Sequence, residues 1–262
     1  MAEKVLLILV DGMRPDALPI CGSDDLLNYY KSGTYCLESR TVFPSITLPC
    51  HMSLFHSVDP ERHGVYNNTF IQQNHPVQGL IEQIRAAGKK SAFFYMWENL
   101  RDLATPEKVS FTWYMCYKQY GDRFNTDTLA TKACIEHIRE LAPDFAFLYL
   151  GATDETGHAK GWMGEEYLAA VKHAGECIKE VTSMLPDDYS VIVTADHGGH
   201  GRNHGTMDDV DMTIPICFHG KRFPAGKAIE GVNIKDLAPT IVDIMGVEPS
   251  SDWEGHSVFE KL

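Results

Sequence analysis

The stretch Phe43-Pro44-Ser45-Ile46-Thr47-Leu48-Pro49-Cys50-His51 places a hydroxyl where a probable strand gives way to apolar residues at helical spacing, Ile46, Met52, Leu54 and Phe55. With Thr47 as N-cap and Pro49 in the first turn, that hydroxyl faces the positive end of a helix. The location suits an anion, and it suits an alkoxide attacking phosphorus if something lowers the hydroxyl pKa. Thr-x-Pro is also an ordinary helix start, so the stretch needs partners before it implies chemistry.

Partners follow other apolar runs. Val5 to Val10 ends abruptly at Asp11-Gly12, and Asp154-Glu155-Thr156-Gly157-His158 sets a carboxylate and an imidazole four apart, able to face one way in a helical turn or compact loop. Asp196-His197-Gly198-Gly199-His200-Gly201-Arg202-Asn203-His204-Gly205 gathers three histidines, an aspartate and four glycines directly after Val191 to Thr194. Asp, His and a hydroxyl suit a borderline cation such as zinc, with manganese as rival; calcium would want more oxygen ligands. Three carboxylates, three imidazoles and an alkoxide exceed one tetrahedral shell and divide between two ions. Two divalent cations are then cancelled by Asp11, Asp154, Asp196 and an ionised Thr47. A site so balanced tolerates a singly charged phosphodiester better than a doubly charged monoester, unless Arg202 or Arg14 adds charge.

The frame that must gather these groups reads as alternating strands and helices. Strands are predicted at Val5 to Val10, Tyr35 to Phe43, Ser91 to Met96, Phe145 to Leu150, Val191 to Thr194 and Ile214 to Phe218. Helices are predicted at Asp24 to Lys31, Leu80 to Ala87, Leu129 to Leu141, Glu165 to Leu185 and Leu237 to Met245. This is an α/β pattern with a mostly parallel central sheet and helices on both faces, in which strand carboxyl ends share one edge. Residues 100–122 give mixed signals, an aromatic stretch bracketed by Pro106 and Gly121, and receive no assignment. No repeat or linker divides residues 1–262, so one catalytic domain is expected.

A formal charge of -13 argues against a nucleic-acid duplex or an anionic membrane as partner, since either needs a basic footprint. A small anionic substrate remains compatible if metal ions supply positive charge. Seven cysteines, odd in number and without Cys-x-x-Cys, read as reduced thiols of a cytoplasmic protein. The opening apolar run is too short for a membrane span and reads as a first core strand rather than a signal peptide.

Asp11-Gly12-Met13-Arg14-Pro15-Asp16, the Phe43 to His51 stretch, His63-Gly64-Val65, Asp154 to His158 and Thr194-Ala195-Asp196-His197-Gly198, in this order, resemble the alkaline phosphatase superfamily. The nearest branch is the nucleotide pyrophosphatase/phosphodiesterase group. The resemblance extends to Asp236-Leu237-Ala238-Pro239-Thr240 and Gly255-His256-Ser257. It implies a three-layer sandwich without a large cap domain and two zinc ions, one held by Asp11, Thr47, Asp196 and His197, the other by Asp154, His158 and His204. It implies Thr47 as nucleophile, a phospho-threonine intermediate hydrolysed by zinc-bound water, and Asn68 contacting a phosphate oxygen opposite the metals; a hairpin turn is the plainer reading of Asn67-Asn68. The implied substrate is a small phosphate ester, with nucleotides among the candidates. Phosphomonoesterase, phosphonate hydrolase and an inactive zinc-binding domain are the alternatives.

Larger members carry an insertion before the final His-Gly; here Asp196 and His204 are eight apart, which leaves His200 as a rival ligand. Sulfatases of the superfamily have Cys or Ser at the Thr47 position and Arg at the His51 position, unlike this chain. His51 and His56 read as packing or ligand-supporting groups and His63 as turn support. His75, His137, His173 and His219 show no partner pattern. Trp162, Tyr66 and Phe70 could stack on a leaving group or belong to the core.

Overall fold

The computed structural model describes residues 3–73, 76–104, 107–120 and 122–262. Its centre is β1 (Lys4–Val10), in which Val5 to Val10 have no exposed surface. A strand so uniformly apolar must be covered on both faces and both edges. It pairs in parallel with β5 (Phe145–Leu150) and β6 (Tyr189–Thr194), with Val10 opposite Leu150 and Leu9 opposite Thr194, so the three strands end nearly level. With β2 (Thr34–Arg40), β3 (Ser91–Tyr95), β4 (Phe111–Tyr114) and β7 (Thr213–His219) they form a seven-stranded sheet of order β2-β7-β6-β1-β5-β3-β4.

The expected mostly parallel sheet is present, with one addition. β7 runs antiparallel to both β6 and β2, so among the described strands it alone opposes the common direction. The carboxyl ends of β1, β2, β5 and β6 therefore lie on one rim. Helices cover the faces. Thr47–His56 and Leu237–Met245 pack together and against the centre, where Phe55 lies 5.1 Å from Phe147; Arg123–Leu141 and Glu165–Ser183 pack on one another.

Three local expectations change. β2 stops at Arg40, not Phe43, because the chain leaves the sheet after Thr41 N–H reaches Met212 O at 2.9 Å. Thr47 is not the N-cap: Ile46, at φ -118° and ψ 144°, holds that place, and Thr47 is the first residue of a helix whose ten residues are all buried. Its hydroxyl is turned elsewhere. The unassigned 100–122 region resolves into a 3-10 turn at Glu98–Leu103, edge strand β4 and a single helical turn at Tyr117–Tyr120. An edge strand with Phe111 and Tyr114 exposed shows no clean alternation, which is why its pattern is hard to read. Pro106, Gly121 and His75 lie outside the described residues. None of the described helices is long and apolar enough to cross a membrane, and all seven cysteines are free.

Candidate metal centre

Each predicted ligand sits just past the rim. Asp11 follows β1, and Gly12, at φ +67°, turns the chain so closely past Asp154 that a Cβ there would lie 3.1 Å from it. Gly12 N–H donates to Asp196 Oδ1 at 3.1 Å, tying the β1 and β6 ends together. Asp154 and His158 share one side of the Ala152–Lys160 helix after β5, and His204 comes from the loop between β6 and β7.

The result is two groups, Asp11 with Asp196 and His197, and Asp154 with His158 and His204; within each group the ligand atoms lie within 4.8 Å of one another. The groups adjoin, since the His197 and His204 rings stack at 3.7 Å and 12°. Thr47 Oγ1 stands 3.2 Å from His197 Nε2. His200 goes elsewhere, with Nδ1 2.8 Å from Asp211 Oδ1.

Whether these side chains suit a cation can be judged from their hydrogen bonds. The Nδ1 atoms of His197, His158 and His204 each face a backbone carbonyl, of Gly198 at 2.8 Å, Arg202 at 3.0 Å and Ser45 at 2.8 Å. That network assigns the proton to Nδ1 and leaves the Nε2 lone pairs inward. There Nε2 meets carboxylate oxygens: Asp11 and Asp196 each 3.3 Å from His197, and Asp154 3.5 Å from His158 and 3.7 Å from His204. Acceptor faces acceptor. Asp11 Oδ1, Asp154 Oδ1 and Asp196 Oδ2 are buried without a hydrogen-bond partner. Burial, then neighbouring carboxylates, hold Asp11 and Asp154 well above the usual carboxylate range; burial also raises Asp196 and pushes His197 and His204 down to about 3. Neutral imidazoles and unrelieved carboxylates pointing at common spaces fit divalent cations.

Several supporting residues escaped the sequence reading. Tyr149 O–H donates to Asp11 Oδ2. A tyrosine inside the otherwise apolar β5 was the signal, because a buried phenol needs a partner. Trp162 donates Nε1–H to Gly12 O at 3.0 Å and lies edge-on to His158, 5.1 Å between ring centroids. It is buried, so it supports ligands rather than stacking on a leaving group. Gly157 and Gly199 flank its indole; a Cβ on either would come within 2.6 Å and 2.3 Å of the ring. Close packing on Trp162 thus accounts for part of the glycine run. Tyr66 and Phe70 remain exposed.

Asp127 is a third such residue. It lies on the buried face of its helix with Ala130, Thr131, Cys134 and Ile138, and accepts from Gly151 N at 3.0 Å and Ala152 N at 3.2 Å. It thereby caps, from another helix, the element that carries Asp154 and His158. Burial pushes its carboxyl up to about 7. A pKa raised on folding gives stability that is present at acid pH and lost as pH rises through that value. Asp127→Asn should remove that loss: in urea unfolding of metal-loaded protein, wild type should weaken relative to the variant by up to about 1.4 kcal/mol per pH unit between pH 5 and 7. A difference independent of pH would contradict this.

The Asn67-Asn68 pair is not a hairpin. Asn68 Oδ1 accepts from Leu48 N at 3.0 Å, at the start of the Thr47–His56 helix, and Asn68 O accepts from Asn99 Nδ2 at 2.9 Å. His51 Nδ1 bonds Thr47 O at 2.8 Å, His56 Nδ1 bonds Met52 O at 3.0 Å, and His63 pairs with Ser53 and Val65. His137 stacks on Phe111, His173 meets Thr128 and Phe124 O, and His219 meets Tyr29 O. Arg14 is engaged by Asp16 and Gly199 O, and Arg202 is exposed.

A profile of the family described as type I phosphodiesterase / nucleotide pyrophosphatase matches residues 5–209. The chain is 36% identical over 106 residues to the 2,3-bisphosphoglycerate-independent phosphoglycerate mutase of Laribacter hongkongensis, an alignment covering 36% of this chain and 20% of that protein. It is 31% identical over 121 residues to the phosphopentomutase of Vibrio campbellii, covering 45% and 29% respectively. These alignments span less than a third of the relatives' own length. In fold, human ectonucleotide pyrophosphatase / phosphodiesterase 5 superposes with a TM-score of 0.80 at 16% identity, covering 99% of this chain and 100% of that one. The murine protein, solved as an inactive variant in complex with AMP, gives 0.78 at 16% identity and 97% coverage of each. A putative sulfatase from Bacteroides thetaiotaomicron gives 0.80 at 12% identity, covering 98% and 74%. The chain belongs to the type I phosphodiesterase / nucleotide pyrophosphatase family of the alkaline phosphatase superfamily.

Proposed function

We propose that the protein is a two-metal hydrolase of phosphodiester or pyrophosphate bonds working through Thr47. The observation that carries this reading is the Thr47 hydroxyl, 3.2 Å from His197 Nε2, beside two adjoining groups of ligand side chains. Asp11, Thr47, Asp196 and His197 would hold one ion, and Asp154, His158 and His204 the other; zinc suits the N/O donor set and manganese is the alternative. Bound there, the ions would lower the hydroxyl pKa and neutralise charge developing on the phosphoryl oxygens.

The chain's own residues do the rest. Thr47, in the first turn of its helix, lies where the dipole favours an oxyanion. Its Oγ bonds to phosphorus as the P–O bond to the leaving group breaks, giving a phospho-threonine that keeps the substrate's second substituent on phosphorus, and releasing an alcohol or phosphate. Water then attacks phosphorus, the Thr47 O–P bond breaks, and the hydroxyl is restored. Asn68, held by Leu48 N–H through Oδ1, keeps its NH₂ free to donate to a phosphoryl oxygen.

Charge selects the substrate. Three carboxylates and an alkoxide balance two divalent ions, and Arg14 is committed to Asp16, which favours a singly charged diester. A structural relative in complex with AMP supports a nucleotide substrate. Seven free thiols support a cytoplasmic location. The test compares bis(4-nitrophenyl) phosphate with 4-nitrophenyl phosphate under identical zinc or manganese. The diester should lead by at least about tenfold in kcat/KM, the equivalent of roughly 1.4 kcal/mol. A monoester preference would reassign the protein as a phosphomonoesterase.

A further inference from the structure

The connection from Ala195 to Met212, a loop that ends in the helical turn Asp209–Met212, delivers Asp196 and His197 at its start and His204 near its middle, and four of its residues are glycine. A glycine-rich loop has little order of its own, so something must fix the imidazole of His204. Within the ligand groups His204 stacks on the His197 ring at 3.7 Å and meets Asp154 only across a 3.7 Å gap between acceptors, and neither contact anchors the loop that carries it.

The fixing point is Asp211, whose side chain has no exposed surface. Its Oδ1 receives His200 Nδ1 at 2.8 Å, and its Oδ2 receives Thr206 N at 2.9 Å and Thr206 Oγ1 at 2.8 Å. One buried carboxylate thus grips the loop on both sides of His204 without touching it. From the opposite side Ser45 accepts His204 Nδ1 on its carbonyl and donates its own hydroxyl to Thr206 O at 2.7 Å. His200 is half exposed and has no role facing the ligands; it closes the outer side of Asp211.

We infer that Asp211 is a positioning residue that sets the affinity of the Asp154, His158 and His204 group for its cation, acting through Thr206 and His200. The inference rests on the proposed two-metal reading. The Asp196 and His197 end of the loop is held separately, by backbone bonds that a side-chain change leaves in place: Gly198 N to Asp211 O at 2.8 Å and Gly199 N to Val210 O at 3.0 Å. Removing the carboxylate strands three donors and frees only the part of the loop that carries His204. Outer partners of metal ligands of this kind are typically worth about 10- to 100-fold in affinity.

The experiment is calorimetric titration of metal-free, full-length protein with Zn²⁺, alongside Asp211→Ala, Asp211→Asn, Thr206→Val and His204→Ala. Wild type should show two binding events, with His204→Ala identifying the second. Asp211→Ala should weaken that event by about 10- to 100-fold and leave the other within about twofold. Asp211→Asn, which keeps one acceptor for Thr206, should fall between, and Thr206→Val should lose less on the same event. If Asp211→Ala fails to fold, the Asn and Val variants carry the same site-selective test. Unchanged affinities, or equal weakening of both events, would overturn the role of Asp211. Wild-type protein binding fewer than two ions would instead overturn the two-metal reading itself.

Discussion

Thr47→Ala is expected to lower kcat on a phosphodiester by at least about 10⁴-fold, because the variant lacks the atom that attacks phosphorus. Its fold should persist. Thr47 makes no capping bond, and its hydroxyl meets His197, so the thermal midpoint should move by no more than a few degrees. Thr47→Ser keeps the oxygen and loses only the methyl that restrains its rotamer, so it should retain activity within about 10²-fold of wild type. With bis(4-nitrophenyl) phosphate, acid-quenched wild-type enzyme should carry a 4-nitrophenyl phosphoryl group on Thr47, detectable by intact mass, and the alanine variant should not. More than about a hundredth of wild-type turnover in Thr47→Ala would remove the nucleophile from the mechanism.

Stripping divalent cations should have the second largest effect. Chelation is expected to reduce turnover by at least about 10³-fold and to lower the thermal midpoint, both restored by Zn²⁺. Three buried carboxylate oxygens without partners leave the metal-free centre with unrelieved repulsion at neutral pH. Each ion at 100 times its Kd would add about 2.7 kcal/mol, or roughly 5–10 °C for a chain of this size. Release should be stepwise. The His158 side chain is 40% exposed while Asp196 and His197 are sealed, so the Asp154, His158 and His204 group should empty first. A midpoint indifferent to both chelator and zinc would show that the clustered ligands bind no ion.

The clustering of the candidate ligands was legible because their positions follow from strand ends. Asp11 and Asp196 come just past the end of a buried strand, and Asp154 with His158 has the spacing of one helical turn. What holds them was mostly illegible. Trp162 and Gly12, Tyr149 and Asp11, and Asp127 and Gly151 meet only through the tertiary fold, and no local pattern records that. The Thr47 cap was misplaced because local propensity favours a hydroxyl at the boundary, whereas Ile46 takes the extended conformation there and the hydroxyl faces His197. His204 was preferred to His200 in sequence because His-Gly leads into the next strand; in the fold His204 Nδ1 faces the Ser45 carbonyl, whereas His200 Nδ1 faces the Asp211 carboxylate.

Because β7 returns against β6, the connection between them leaves and re-enters the sheet on the same side as the ligands. Extra chain spliced into that connection would roof the candidate site without shifting a single strand. The entrance above those residues can therefore vary through the length of one surface segment, while the side chains beneath keep their places.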